Sequence, residues 1–375
     1  MATPRTHLFD TALLARHAAI APGQRVLDLG FHDHEGAVWA ASRGANVVAL
    51  RPAIDLATVV EALARERGAS VAGQIEARLA TAISDEDAAS FDLVQMIAPF
   101  YLGNGPVRTA FAMAARALKP SGTLWFQAHR RHGAETFAKL ASQTFADVTQ
   151  VDIGTAQVRL YRATGPRPPV APETGGEAIV TGGTDHTFTV RSTTVTLRLG
   201  EGVFGSRGID PATTYLLDRA EVPEDAAVLD LGCGAGPIGI ALAAESRRRR
   251  VVMSDVSKAA VDLATANAAR NGITRVKVLL SDGVEGLAHD RFDVILSNLP
   301  AHRGHVEDPA LAARLIAGCA RHLVPSGVAW FVVNRARGIE IEASRAFRVV
   351  DVVDQNGRYK VVRCATPRGA KAGRN

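Results

Sequence analysis

Apolar and polar residues alternate along this chain with two different periods. Short runs of β-branched and aliphatic residues are typical of buried strands, and longer segments with apolar residues three and four positions apart are typical of helices. Near the carboxyl end of the chain this pattern predicts strands at 228–231, 250–254, 276–280, 293–297 and 328–333, with the clearest helices at 256–271 and 309–323. Strands that alternate with helices predict βαβ units and a largely parallel sheet.

The pattern occurs twice. Three segments each have a similar counterpart about 200 residues later, in the same order and at nearly constant offsets. They are RVLDLG at 25–30, FDLVQMIAP at 91–99 and LKPSGTLWFQAHR at 118–130. Three segments that agree in order and spacing indicate an internal duplication. The chain therefore predicts two tandem copies of one α/β domain. We expect the P-S-G tripeptide of the third segment to form a turn before a strand.

Composition shifts mark the expected domain boundaries. GPRPPVAPETGG at 165–176 is typical of a linker because it is rich in proline and glycine. We predict a first domain over 1–164, a linker over 165–182, a second domain over 183–368 and a basic tail over 369–375. The second domain should begin with a β-hairpin at 186–199, followed by a loop and a helix that starts at Pro211 with Asp210 as its N-cap.

A glycine-rich turn follows the first strand of the second copy. Asp230, Gly232, Gly234 and Gly236 spell D-x-G-x-G-x-G. Glycine tolerates positive φ and allows a ligand close to the bare backbone, and the helix that follows offers free N–H groups. The same turn also contains G-x-G-x-x-G with Asp255 about 20 residues further on, which is the dinucleotide fingerprint. The turn alone does not distinguish the two cofactors.

Polar residues stand where the next strands of the second copy end. Asp255 ends the second strand, where a carboxylate can accept both ribose hydroxyls, and Asp282 ends the third, where it can accept from an adenine amino group. Asn298 ends the fourth. Open α/β sheets bind ligands at the carboxyl ends of their strands, so these positions predict one ligand site.

The first copy keeps the strands and loses these residues. His32 and His34 replace two turn glycines, Arg51 stands near the position of Asp255, and Ile97 stands at the position of Asn298. We therefore expect the first domain to have lost cofactor binding and to serve as a scaffold or to hold RNA. A metal site over 32–35 is disfavoured, because adjacent ligands on one loop rarely converge on a single ion.

Composition narrows the class of protein only slightly. The three cysteines are isolated, no apolar run reaches the roughly 18 residues of a membrane span, and no secretory signal pattern is present, so we expect a soluble cytoplasmic protein. The formal net charge of +5 weakly favours an anionic partner such as RNA. The arginine run at 247–250 could contact phosphates but is more typical of a solvated surface.

These motifs resemble those of class I S-adenosylmethionine (AdoMet) methyltransferases that modify nitrogen atoms. The tandem layout resembles more closely the 16S ribosomal RNA guanine-N2 methyltransferases, in which a degenerate copy precedes an active one. The GVF loop at 202–204, with Asp210 and the leucines at 216–217, is similar to the entry segment of that family. The resemblance implies two Rossmann-like domains with mainly parallel, seven-stranded sheets. It also implies AdoMet as cofactor and ribosomal RNA or the small ribosomal subunit as partner, with no metal and no membrane.

The resemblance implies a role for each motif residue. The catalytic residues would be Asn298, Leu299 and Pro300; the cofactor-binding residues Asp230, Gly232, Gly234, Gly236, Asp255 and Asp282; and the substrate-binding residues Phe204, Ala301 and His302. This chain has Asn-Leu-Pro-Ala where the family has Asn-Pro-Pro-aromatic. Ala301 cannot stack on a base, so we expect Phe204 or His302 to supply the ring.

Other functions stay open from the sequence alone. A methyltransferase acting on a small molecule or a protein amide, and a non-catalytic RNA-binding assembly protein, both accommodate the same motifs. An NAD-dependent dehydrogenase is disfavoured, because it would leave Asn298 and Pro300 unexplained. A metal site formed by His302 and His305 with Glu307 is also disfavoured, because no further convergent ligand is apparent. The target nucleotide does not follow from the sequence.

Overall fold

Each half of the chain forms one seven-stranded sheet with helices packed against it. The structure is a computed structural model that describes residues 10–30, 35–67, 72–167, 181–206, 208–300, 302–303 and 306–368. The chain divides into two units, residues 1–182 and 183–375. The residues between the two sheets, 168–180, and the tail, 369–375, lie outside the described residues.

The first unit alternates strands and helices from its amino end. Its strands are β1 Arg25–Leu29, β2 Asn46–Arg51, β3 Gln74–Leu79, β4 Phe91–Ile97, β5 Leu118–His129, β6 Phe145–Ile153 and β7 Val158–Pro166. Its α-helices are α1 Thr11–Ala15, α2 Glu35–Ser42, α3 Ile54–Arg67, α4 Asn104–Ala117 and α5 Ala134–Ala141, and short 3-10 helices cover Phe100–Leu102, Arg130–His132 and Thr155–Gln157.

The second unit repeats this order after a preceding hairpin. Its strands are β8 Thr181–Val190, β9 Thr193–Glu201, β10 Ala227–Leu231, β11 Arg250–Asp255, β12 Lys277–Leu280, β13 Phe292–Asn298, β14 His302–Arg303, β15 Val306–Glu307, β16 Leu323–Asn334, β17 Phe347–Gln355 and β18 Tyr359–Pro367. Its helices are α6 Pro211–Leu217, α7 Pro237–Glu245, α8 Lys258–Arg270, α9 Pro309–His322 and α10 Glu340–Ala346, with a 3-10 helix at Glu285–Leu287.

The two sheets have the same topology. The strand order is β3-β2-β1-β4-β5-β7-β6 in the first and β12-β11-β10-β13-β16-β18-β17 in the second. In both, the first five strands of the order are parallel and the last two pair antiparallel. The mainly parallel, Rossmann-like fold expected for each copy is confirmed. Because β10 to β13 are parallel, their carboxyl ends meet at one edge of the sheet.

One expectation about a turn is wrong. The tripeptide at 325–327 does not precede a strand but lies inside β16, as the tripeptide at 120–122 lies inside β5. The register between β13 and β16 jumps from Phe292↔Leu323 to Val294↔Val328, so β16 has extra residues that bulge while pairing continues. The bulge recurs between β4 and β5. A proline can be accommodated at such an irregularity because it has no N–H to donate to the ladder.

A hairpin precedes the second sheet and packs against its helices. The side chains of Thr187 and Thr196 hydrogen-bond across β8 and β9 at 2.9 Å. Asn267, on α8, accepts from the Arg198 backbone N–H at 2.8 Å and donates to its carbonyl at 3.0 Å, so the helix holds β9 in place. The loop that follows β9 therefore starts from a fixed position close to the glycine-rich turn.

Candidate active site

The glycine-rich turn joins β10 to α7 at the carboxyl edge of the sheet. Gly232 and Gly234 have φ of +73° and +54°, a region that disfavours side chains. A Cβ atom added to Gly232 would have no atom within 4 Å, and one added to Gly234 would have its nearest neighbour at 3.8 Å. The backbone at these two positions therefore borders open space, where a ligand can approach it closely.

Two further glycines of the turn are required by packing. A Cβ atom at Gly236 would lie 2.9 Å from Cδ1 of Ile240, and one at Gly239 would lie 2.4 Å from Cγ of Met253. Gly236 also has a φ of +88° as the N-cap of α7. These glycines bring α7 close to β11 and so place the helix N-terminus at the site.

Asp255 ends β11 and supports the turn. Its Oδ2 accepts a hydrogen bond from the Gly234 N–H at 2.9 Å, and its Oδ1 accepts one from the Ser257 N–H at 2.9 Å. Each carboxylate oxygen has two lone pairs, so these contacts still leave acceptor capacity toward a ribose. The expected role of Asp255 in ribose binding stays a prediction that this geometry allows.

Asp230 lies beneath the turn and is fully buried. Its Oδ2 accepts from the Gly239 N–H at 2.8 Å, whereas its Oδ1 has no hydrogen-bond partner among the described residues. Burial, reinforced by the negative charge of Asp255, raises the pKa of Asp230 to about 7 despite the Gly239 contact. A buried acceptor without a partner next to the open turn fits a ligand that carries positive charge.

Asp282 follows β12 on the far side of Asp255 and is half-buried. Its Oδ1 accepts from the Arg314 guanidinium at 2.5 Å. This ion pair, which no sequence pattern predicted, holds the carboxylate at the sheet edge and partly neutralises it. The proposed contact of Asp282 with an adenine amino group stays a prediction.

Asn298 ends β13, beside β10, and its side-chain amide is held from one side. Its Nδ2 donates to Oδ2 of Asp210 at 3.0 Å and lies 3.4 Å from Oγ1 of Thr213. A carboxylate only accepts hydrogen bonds, so the NH₂ group must face Asp210 and the amide must present Oδ1 on its other side. Sequence reasoning identified Asp210 as a helix cap and missed this second contact.

Asp210 makes both contacts at once. Its Oδ1 accepts from the Ala212 N–H at 2.9 Å and caps α6, as the sequence predicted, while its Oδ2 accepts from Asn298. Asp210 also lies close enough to Tyr359 for its charge to act on the phenol. Burial, together with the charge of Asp210, raises the pKa of Tyr359. Asp210 therefore ties Asn298 to α6.

The backbone after Asn298 is fixed by a second residue that the sequence did not reveal. Arg337 donates to the carbonyl of Pro300 at 2.9 Å and reaches the carbonyl of Leu299 at 3.4 Å. Leu299 itself is buried in the core, with its N–H bonded to the carbonyl of Val332 at 3.1 Å. Leucine replaces a family proline here, and these contacts restrain the segment that the proline ring would otherwise stiffen.

The predicted substrate residues are only partly within the described structure. Phe204, in the loop after β9, is 74% exposed, and its carbonyl oxygen is the atom that a Cβ at Gly234 would meet at 3.8 Å. An exposed aromatic ring thus belongs to a loop that borders the glycine-rich turn. Ala301 and the side chain of His302 lie outside the described residues.

In the first domain, a side chain fills the corresponding space. The register of β1 with β2 and of β10 with β11 places Arg51 at the position of Asp255. Arg51 is fully buried and pairs with Oδ2 of Asp28 at 2.6 Å. Its Cζ lies only 2.3 Å from where a Cβ on Gly30 would be. The guanidinium occupies the space that stays open beside the turn of the second domain.

The structure describes one of the two other replacements expected in the first domain, at Ile97, and does not describe the second, at His32 and His34. Ile97 stands at the position of Asn298, as the register of β4 with β5 and of β13 with β16 shows. His32 and His34 lie outside the described residues. Among the described residues, Arg51 is therefore the side chain that fills the space beside this turn.

The part of the chain that the structure describes contains neither a metal-binding cluster nor a membrane-spanning helix. Its histidine, cysteine, aspartate and glutamate side chains nowhere gather in a group of three that could hold a metal ion. None of its helices is both long enough and apolar enough to cross a membrane.

Known proteins resemble the second domain in sequence. The model of the methyltransferase small domain family matches residues 194–363. The protein YbxB of Bacillus subtilis (strain 168) is 33% identical over 181 residues, which are 47% of this chain and 88% of YbxB. Ribosomal RNA small subunit methyltransferase C of Escherichia coli (strain K12 / DH10B) is 34% identical over 179 residues, which cover 48% of this chain and 52% of that enzyme.

A solved structure shares both domains. The T. thermophilus 16S rRNA N2 G1207 methyltransferase, RsmC, in complex with AdoMet and guanosine, superposes with a TM-score of 0.78. The match covers 96% of this chain and 93% of the other, at 23% sequence identity, and shows that the tandem two-domain fold is the same.

The duplicated sheets, the open glycine turn and the polar strand ends define a class I AdoMet-dependent methyltransferase. The chain belongs to the methyltransferase small domain family, which its second domain matches. The family and the cofactor expected from the sequence motifs are confirmed. The sequence alignment spans about half the length of the E. coli enzyme, so the substrate is argued separately below.

Proposed function

We propose that this protein transfers a methyl group from AdoMet to the exocyclic N2 amine of a guanine in small-subunit ribosomal RNA. The observation that carries the proposal is the amide of Asn298, whose NH₂ group is held by Asp210 so that its oxygen is presented on the other side. An amide oxygen fixed in this way accepts a hydrogen bond from an amine and selects nitrogen as the methylated atom.

The residues of the second domain fit the cofactor. Gly232 and Gly234 leave backbone exposed to a ligand, Asp255 offers acceptors for ribose hydroxyls, and Asp230 has an unpartnered buried oxygen next to the turn. When bound, AdoMet supplies an electrophilic methyl group on a positively charged sulfur. The buried carboxylate of Asp230 favours that positive charge because the surrounding dielectric is low.

Two acceptors would orient the target amine. Oδ1 of Asn298 is one, and the carbonyl of Leu299, which Arg337 restrains, is the other. With both amine hydrogens accepted, the nitrogen lone pair is directed at the methyl group, and the gain is mainly one of positioning. The same oxygens stabilise positive charge that develops on nitrogen during transfer.

Support for an RNA substrate comes from several sides. A relative 34% identical over 179 residues is a small-subunit ribosomal RNA methyltransferase, and the T. thermophilus protein with the same fold was solved with guanosine. The exposed ring of Phe204, in the loop that borders the turn, offers a stacking surface for an extruded base. A paired guanine must be extruded before its amine is accessible. The first domain would then act as a scaffold or hold RNA, because Arg51 fills its own turn.

The direct test is methyl transfer followed by identification of the modified nucleoside. Purified protein is incubated with AdoMet and either naked small-subunit ribosomal RNA or assembled small subunits, and the RNA is digested for mass spectrometry. We expect N2-methylguanosine from at least one substrate and far less of it, in the same time, with Asn298→Ala. Methylation of another atom, or of neither RNA substrate, would contradict the proposal and favour a small molecule or a protein amide.

A further inference from the structure

A cavity lies at the carboxyl edge of the second sheet, beyond the strand next to Asn298. It has a volume of about 330 Å³ and is lined by Asn334, Arg335, Ala336, Gly357 and Arg358. Because Asn298 pairs with Val332 of β16, the cavity begins two residues further along that neighbouring strand. No role in the chemistry described above involves these residues.

The two turns that form the cavity are rigidly joined. The Arg335 N–H donates to the carbonyl of Arg358 at 2.8 Å. Oδ1 of Asn334 accepts from the Ala336 N–H at 2.9 Å, and Oδ1 of Asn356 accepts from the Arg358 N–H at 2.8 Å. The backbone therefore holds Arg335, just after β16, next to Arg358, just before β18.

The positive charge of this cavity is not balanced by the described residues. Of the acids near these turns, Asp354 pairs with Arg219, Glu340 pairs with Lys360, and Asp210 accepts from the Asn298 amide. Arg335 and Arg358 are exposed and form no ion pair with any described carboxylate. Two adjacent guanidinium groups repel each other, and an anion between them would relieve that repulsion.

The cavity is also coupled to the site by short contacts. The Arg358 guanidinium lies 5.2 Å from the centre of the Tyr359 ring, and the pKa of Tyr359 is raised by burial and by the charge of Asp210, the carboxylate that holds Asn298. On the other side, Arg337, two residues after Arg335, donates to the Pro300 carbonyl at 2.9 Å. A group bound in the cavity would therefore lie close to a base held at Asn298.

We propose that this cavity binds a backbone phosphate of the RNA strand that carries the methylated base. Guanidinium groups match phosphate oxygens in geometry and charge and can bind them in bidentate fashion. A nucleotide extruded from its stack needs its backbone held while the base enters the site. The inference rests on the proposed RNA substrate and adds the residues that hold the strand.

The test measures RNA binding separately from turnover. Arg335→Gln, Arg358→Gln and the double variant are compared with wild type in the full chain, using fluorescence anisotropy with transcribed small-subunit ribosomal RNA over a series of salt concentrations. Arg247→Gln is the matched control, since Arg247 is exposed on the loop before β11, at the opposite edge of the sheet. AdoMet affinity and the melting temperature of each variant are measured in parallel.

We expect each single substitution to raise the Kd for RNA about tenfold, as loss of one charge-assisted contact should. The slope of log Kd against log salt should fall by about one for each arginine removed. Arg247→Gln should change neither quantity, and AdoMet affinity should stay at the wild-type value in all variants.

The results of this test distinguish the proposed phosphate site from the proposed methyl transfer. Unchanged Kd and salt slope in the double variant, an equal effect of Arg247→Gln, or wild type that does not bind RNA would overturn the phosphate site. Wild type that binds RNA through both arginines but methylates no guanine would sustain the phosphate site and refute the proposed reaction.

Discussion

The Asp210 carboxylate accepts a hydrogen bond of 3.0 Å from the side-chain amide of Asn298, 88 residues later in the chain. The same carboxylate caps α6 through the Ala212 N–H. One residue thereby sets the start of a helix and the orientation of the amide that would contact the substrate. Asp210 is a positioning residue, because it acts on the substrate through Asn298.

Asp210→Ser should separate these two functions. Serine is a good N-cap but is too short to reach Asn298, so we expect nearly wild-type stability and a kcat lowered by about tenfold to a hundredfold through misorientation of the amide. Asp210→Ala should lower kcat to a similar extent and also lose about 1 kcal/mol of stability with the cap. Steady-state kinetics and thermal melts measure both.

Tyr359→Phe is the matched control for Asp210. It removes a hydroxyl from the surroundings of the carboxylate and leaves the Asn298 contact in place, so its effect on kcat should be much smaller. Equal losses in Tyr359→Phe and Asp210→Ser would show that Asp210 does not act through Asn298. An unchanged kcat in Asp210→Ser would show the same.

Asn298→Ala should lower the rate of methyl transfer far more than it weakens AdoMet. The side chain lies at the end of β13, next to the glycine-rich turn, and its oxygen is the proposed acceptor for the amine. Loss of one aligned polar contact in the transition state costs on the order of 10²–10³ in rate, by analogy with oxyanion-hole donors. Single-turnover transfer and calorimetric titration with AdoMet give the two quantities. A wild-type rate would exclude Asn298 as the orienting residue.

AdoMet binding should depend on pH through Asp230. Burial raises the pKa of this carboxyl to about 7, so it holds a proton below that pH and is charged above it. The charged form favours a cationic ligand, and affinity should rise by up to about tenfold between about pH 6 and pH 8. Asp230→Asn should bind AdoMet more weakly at high pH and lose this part of the pH dependence, as calorimetric titrations at each pH would show.

The stability of the ligand-free protein gives an independent check on Asp230. Because the pKa is raised in the folded state, the folded chain binds a proton that the unfolded chain lacks between about pH 4 and pH 7. The contribution of this group to stability therefore falls as pH rises through that window. Asp230→Asn should remove the fall, and identical pH profiles of the melting temperature in both proteins would contradict the raised pKa.

Cofactor binding should have a stoichiometry of one per chain. Arg51 fills the turn of the first domain, whereas the turn of the second borders open space. Gly234→His should abolish AdoMet binding in the full chain, because a side chain would enter that space and the φ of +54° disfavours it. Calorimetry provides the stoichiometry. A second equivalent of bound AdoMet, or wild-type binding by Gly234→His, would show that the first domain retains a site.

Phe204→Ala should weaken RNA and leave AdoMet affinity nearly unchanged. The ring is 74% exposed in the loop beside the turn, and stacking of a base on an aromatic side chain contributes about 1–3 kcal/mol. Phe204→Trp preserves a stacking surface and should bind RNA as wild type does. The Kd for ribosomal RNA, measured by anisotropy, decides between a stacking residue and an exposed loop residue without function. If stacking rather than apolar contact matters, Phe204→Leu should raise the Kd for RNA as much as Phe204→Ala does.

The sequence by itself determined the duplication, the order of strands and helices, and the glycine-rich turn. These features are carried by neighbouring residues: alternation of apolar positions, a cap before a proline, and glycines where the backbone needs positive φ. The positions of Asp255 and Asn298 at one sheet edge also follow from the sequence, because parallel strands in a doubly wound sheet end on the same side.

Only the tertiary structure decided which side chains meet. Three contacts join residues that are distant in the chain. Asp210 binds Asn298, Arg337 binds the Pro300 carbonyl, and Arg51 fills the turn of the first domain. No local pattern encodes them, since each depends on the pairing of particular strands and on the side-chain rotamers that packing allows. The bulge in β16 has the same origin: a proline and a glycine signal a turn locally, yet pairing with β13 carries the strand through them.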